Sequence, residues 1–161
     1  MKLANWFGKH GGIGKLAMAF AIGLTLLTGG AAIAASNDAA PPSLYARLGG
    51  YNAIAAVVDD LVQRLAADPE LGRFWANRGA DGIRREKQLI VNFIVDRAGG
   101  PLFYSGRDMK ISHVGMRISE RDWQLLINHL HETLAKFKVP TQEKNDVLAF
   151  IESTRADIVE K

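Results

Sequence analysis

No cysteine occurs in the 161 residues. Thiol catalysis, iron–sulfur clusters, cysteine zinc sites, disulfides, lipid attachment at a lipobox and cofactor attachment through Cys-x-x-Cys-His are therefore excluded. Acid is missing from one end, because residues 1–35 hold Lys2, Lys9 and Lys15 and no Asp or Glu. Residues 36–161 carry 17 Lys and Arg against 17 Asp and Glu and are neutral. The sequence pI of about 9.3 thus belongs to the leader, and a neutral body without a basic cluster speaks against a nucleic-acid partner. No Gly-Lys-Ser/Thr phosphate loop, internal repeat or period-two strand pattern occurs.

What the leader does have is the run LAMAFAIGLTLLTGGAAIAA from Leu16 to Ala35, with Ala32-Ile33-Ala34 at its end. A basic start, an apolar stretch and a small-residue site are the order of a secretory signal peptide. Left uncleaved, about 20 apolar residues also suffice for a membrane anchor, so residues 16–35 are a signal or a tether. Either way the expected location is outside the cytoplasm: periplasmic, secreted, or membrane-anchored and facing out. Residues 36–42, SNDAAPP, form a linker, and one folded domain is expected over 43–161.

Within that domain the periodicity is helical. Ile54, Val57, Val58, Leu61, Val62 and Leu65 follow a helical stripe after Gly49-Gly50, and Asp68-Pro69 ends it. Residues 80–98 form a second helix, with Ile83, Lys87, Ile90 and Ile94 along one side and Leu89, Val91, Phe93 and Val95 around it, stopped by Gly99-Gly100-Pro101. Ser119 and Asp122 predict a capping box for a third helix whose inward stripe is Trp123, Leu126, Ile127, Leu130, Leu134 and Phe137. Pro140-Thr141 opens a fourth, with Val147, Leu148, Ile151 and Ile158 inward. An irregular glycine-rich segment, residues 99–118, lies between the second and third helices. So much aperiodic chain in a helical domain points to function or to a cofactor that orders it.

Three histidines lie outside the leader. His129 and His131 are two apart on a helix, face different ways and cannot clamp one metal, so they read as surface or satisfied helix histidines. His113 stands in the irregular segment among Met109, Ile111, Val114, Met116 and Ile118. These surroundings suit a packed ring. That is the commoner case for a lone histidine in an apolar segment, but the same residues also suit a haem face, where an imidazole nitrogen meets iron and soft apolar side chains meet the porphyrin.

The order of several short motifs weighs between these readings. Leu44-Tyr45, Leu48-Gly49-Gly50, Asp68-Pro69-Glu70-Leu71, Phe74-Trp75, Gly99-Gly100-Pro101, Tyr104-x-Gly106, Met109 and His113 follow one another as in a known family. From Ser43 to about Lys161 the chain resembles a group one truncated haemoglobin. The resemblance implies an all-α fold, a two-over-two helical sandwich around b-type haem (iron protoporphyrin IX), and His113 as the proximal iron ligand. It implies that Trp75, or Phe74 in a register moved by one, packs on the haem at the corner after the first long helix. Tyr104 and Met109 then lie near the haem edge and the proximal side.

On the distal side the chain departs from the family, whose phenylalanine–tyrosine pair on the first long helix falls on Leu61-Val62. The tyrosine hydroxyl is absent, and Val62 cannot donate a hydrogen bond. Counting back from Gly99 puts Glu86 and Ile90 at the distal positions, whereas matching the lysine–glutamine pair puts Gln88 there. Gln88 is then a donor to a bound gas, and Lys87 pairs with a haem propionate or binds iron as a neutral amine. No histidine lies between Ala80 and Ala98, which argues against a bis-histidine haem.

The resemblance implies reversible binding of oxygen, nitric oxide or carbon monoxide, for oxygen transport or sensing. The enzymatic alternative is nitric oxide dioxygenase or peroxidase-like detoxification with an external reductase. The chain has no reductase or flavin motif, and it lacks the distal tyrosine. Both facts favour binding over turnover.

Overall fold

The computed structural model describes residues 40–160; the expected signal or anchor segment and residues 36–39 of the linker lie outside it. Seven helices follow in order: α1 Leu44–Arg47, α2 Gly50–Ala67, α3 Ala80–Arg97, α4 Met109–His113, α5 Glu120–Lys136, α6 Thr141–Glu152 and α7 Arg155–Ile158, with a 3-10 turn at Leu71–Phe74. Among the described residues there is no strand, and no helix is long and apolar enough to cross a membrane.

Gly49 and Gly50, both at positive φ, bend the chain from α1 into α2. Asp68 is extended, as a residue before proline prefers, and ends α2. Its Oδ1 accepts the N–H groups of Glu70 and Leu71 at 2.8 and 2.9 Å, which winds the 3-10 turn. Ser119 and Asp122 form the expected reciprocal capping box of α5. Asp122 is itself buried and receives Arg73 from the 3-10 turn at 2.8 Å, so one cap also ties two elements together.

The α2 stripe makes the main seam. Ile54, Val58 and Val62 pack against Val91 and Val95 of α3, with Tyr45, Leu48, Trp75, Ile83, Ile90 and Ile94 around them. On another side of α2, α5 contributes Leu130, Thr133 and Leu134, all buried, and the Thr133 hydroxyl donates to Asp60 at 3.1 Å. Arg47 of α1 holds α6 through Glu143 at 2.8 Å and Asp146 at 2.5 Å.

Two expectations change. Phe137 is exposed, because α5 ends at Lys136 and the backbone turns through positive φ at Lys138. Val147, Leu148, Ile151 and Ile158 are half-buried, and α6 contributes no fully buried residue. The irregular segment falls where expected but contains α4, whose five residues are too few to show a period in sequence.

Candidate functional site

The segment that carries His113 is shaped by its glycines. Gly99 has φ +79°, and the Gly100 N–H reaches back to the Val95 carbonyl at 2.8 Å, closing α3. A Cβ on Gly100 would stand 2.6 Å from both the Tyr45 ring and Val95 Cγ1, so only glycine lets the chain turn this close to α1 and α3.

Beyond the turn, Tyr104 sets its ring edge against Phe93, with centroids 5.1 Å apart. Its hydroxyl donates to the Arg107 carbonyl at 2.8 Å. Burial, with the Asp108 carboxylate adding to it, pushes the phenol pKa up, so the hydroxyl remains a donor. Asp108 caps α4 by accepting the Ile111 N–H at 2.8 Å. Tyr104 and Met109 line one cleft of about 490 Å³ together with Phe93, Arg97, Asp108 and Phe150.

His113 is the last residue of α4 and is half-buried. Its Nδ1 lies 2.7 Å from the Met109 carbonyl oxygen. A carbonyl only accepts, so Nδ1 carries a proton, and in the neutral ring Nε2 then keeps a lone pair free for a Lewis acid. A backbone carbonyl behind the ring also fixes its orientation, as is usual for metal-binding imidazoles. The apolar surroundings expected from sequence are uneven: Met109 and Met116 are half-buried and Ile118 buried, whereas Ile111 and Val114 are exposed.

Across the α2–α3 seam, Trp75 packs on the cluster containing Val62, as does Ile90. Phe74 meets Trp75 edge-on, with centroids 6.4 Å apart, and carries the Arg73 guanidinium over its face at 4.2 Å. Lys87 ion-pairs with Asp59 of α2. Gln88 donates to the Tyr51 hydroxyl at 3.0 Å and to Asn92 Oδ1 at 2.7 Å. Glu86 pairs with Arg78. The structure thus gathers Trp75, Ile90 and Val62 on one apolar cluster and spends the polar ends of Lys87 and Gln88 between α2 and α3. His129 is half-buried and satisfied only in part, its Nε2 meeting Asp68 at 2.8 Å while its Nδ1 is buried without a partner, and His131 is exposed.

Sequence inspection missed one feature: the Trp75 indole nitrogen is buried without a hydrogen-bond partner. Only the placement of that ring against an apolar cluster could reveal it.

The sequence model of the family described as bacterial-like globin matches residues 43–160. The chain belongs to this family. A group 1 truncated hemoglobin of Mycolicibacterium paratuberculosis is 32% identical over 74% of this chain and 85% of its own length. One from Tetrahymena pyriformis is 30% identical over 75% of this chain and 98% of its own. The crystal structure of a ferric truncated hemoglobin from Tetrahymena pyriformis superposes with a TM-score of 0.68 at 28% identity, covering 74% of this chain and all of that one. The all-α architecture is therefore that of a truncated globin, and the globin's cofactor is haem, which in this family is ordinarily b-type.

The donor set fits that cofactor. Among the described residues no group of three or more His, Asp or Glu could hold a bare metal ion. One oriented imidazole with a spare Nε2 suits an iron whose other ligands come from a porphyrin. The cleft beside Met109 has a polar part, Arg97, Asp108, Ser153, Thr154 and Asp157, and does not include His113 itself; its aromatic and thioether part, Phe93, Tyr104, Phe150 and Met109, suits a porphyrin face.

Proposed function

We propose that this truncated haemoglobin binds a diatomic gas reversibly, with His113 as the protein's ligand to the haem iron. The haem supplies the iron to which oxygen, nitric oxide or carbon monoxide binds. The chain's part is to hold and orient one imidazole and to shape the opposite face. The observation that carries the proposal is the Nδ1–Met109 carbonyl contact at 2.7 Å, which presents Nε2 in the tautomer an iron ligand requires.

Tyr104, Met109 and Phe150 are assigned to the porphyrin contact near His113, and Trp75 and Ile90 to the gas-binding face. Lys87 and Gln88 serve in the support of that face through Asp59 and Tyr51. A location outside the cytoplasm completes the proposal, on the strength of the basic leader and its apolar run.

Titration of the reduced protein with oxygen and with carbon monoxide tests it. Saturable absorption changes that reverse on removal of the gas are expected. A chain that holds haem and shows no spectral response to either gas would refute the proposal. Mixing the oxygen-loaded protein with nitric oxide checks the enzymatic alternative, for which rapid formation of ferric protein, sustained only with an added reductase, is the required result.

A further inference from the structure

The polar groups around the α2–α3 seam are nearly all paired. Lys87 meets Asp59, Gln88 meets Tyr51 and Asn92, and Glu86 meets Arg78. Val62 at the centre of the seam is 1% exposed and has no donor. Among the described residues three buried side-chain atoms lack a hydrogen-bond partner, Glu86 Oε2, His129 Nδ1 and Trp75 Nε1. Glu86 still pairs with Arg78 and His129 is held through Nε2 by Asp68, whereas the Trp75 indole has no polar partner at all. Its ring packs on the cluster of Ile54, Val58, Val62, Val91 and Val95, and its Nε1–H is buried with no partner. The contrast with Trp123 is direct, because that indole is also buried but donates to Glu152 Oε2 at 3.0 Å. A buried N–H without an acceptor is costly and uncommon in folded proteins, so one that persists calls for an acceptor supplied from outside the chain.

From this we infer that Trp75 Nε1–H is the hydrogen-bond donor to the diatomic ligand in the gas-binding pocket, taking the part that Val62 cannot perform. The inference rests on the gas-binding proposal above and names the residue that sets ligand lifetime. The acceptor must be small, because the ring lies against a closed apolar cluster, and it must carry a lone pair, because an indole nitrogen only donates. A diatomic gas polarised by iron meets both conditions. Asp68 positions the donor indirectly: its carboxylate winds the 3-10 turn whose next residue is Trp75.

The test compares the carbon monoxide complex of the full chain with that of Trp75→Phe, which keeps an aromatic ring and removes the N–H. A donor at the ligand oxygen favours back-donation from iron into the C–O antibonding orbital and lowers the C–O stretching frequency. The variant's infrared C–O band should therefore move to higher frequency, and oxygen should dissociate about tenfold faster, the worth of one hydrogen bond. Coincident C–O bands in the two proteins would overturn the inference while leaving gas binding intact. Absence of any carbon monoxide complex in the unaltered protein would overturn both. Should the variant fail to fold, the unaltered protein decides: its Trp75 indole N–H resonance, in ¹⁵N-labelled protein, should shift on addition of carbon monoxide more than that of Trp123. An unmoved Trp75 resonance would overturn the inference.

Discussion

His129 Nε2 lies 2.8 Å from Asp68 Oδ2, and this contact pins α5 to the corner that carries Trp75. The other oxygen of the same carboxylate accepts the backbone N–H groups of Glu70 and Leu71. One aspartate thus ends a helix, starts the next turn and links both to a distant helix. Such an arrangement favours the ionised carboxylate, and its consequence is a stability that depends on pH.

The Leu71 backbone N–H, then His129 and then the Glu70 N–H hold the Asp68 carboxyl down at about 2. Asp60 is likewise held at about 2 by Lys136, Arg64 and Thr133. An unfolded aspartate titrates near about 3.9. Because both folded values are depressed, their contribution is present above about pH 4 and is lost as pH falls through about 4 towards about 2. The urea midpoint should fall across that window, and more gently in Asp68→Asn and Asp60→Asn. A midpoint unchanged from pH 5 to pH 2 would contradict the assignment.

Gly100 provides a test of the turn before α4. An alanine Cβ there would stand 2.6 Å from the Tyr45 ring and from Val95 Cγ1, and 2.8 Å from the Val95 carbonyl oxygen. Val95 is 0% exposed and cannot yield freely. Gly100→Ala should cost about 1–3 kcal/mol in chemical denaturation and weaken haem retention, since the same turn leads into the segment of Tyr104 and His113. A variant as stable as the parent would show that the turn is looser than its contacts indicate.

Much of this architecture could be read from sequence because it rests on local rules. Asp68-Pro69 closes α2, Ser119 and Asp122 cap α5, and Pro140-Thr141 opens α6, each through groups within four residues. What could not be read depends on distant partners or on very short elements. Phe137 satisfies the helical period of α5 yet is exposed, because the helix ends one residue before it. Lys87 and Gln88 have suitable chemistry for a bound gas or a propionate, but Asp59 and Tyr51, 28 and 37 residues away in the chain, engage them. The role proposed for His113 rests on motif order, since hydropathy alone suits a packed ring as well. The tautomer of that ring was not legible, because it is fixed by a carbonyl whose direction only the geometry of α4 supplies.

The central claim is that His113 presents Nε2 to haem iron, and the absorption spectrum of the reduced protein with and without His113→Gly tests it most directly. The unaltered chain should bind haem stoichiometrically and show a five-coordinate ferrous Soret band that changes with carbon monoxide. His113→Gly should lose that spectrum and regain it on addition of free imidazole, which replaces the missing ligand without the peptide tether. A His113→Gly protein whose ferrous and carbon monoxide spectra match those of the unaltered chain, with no response to imidazole, would contradict the account.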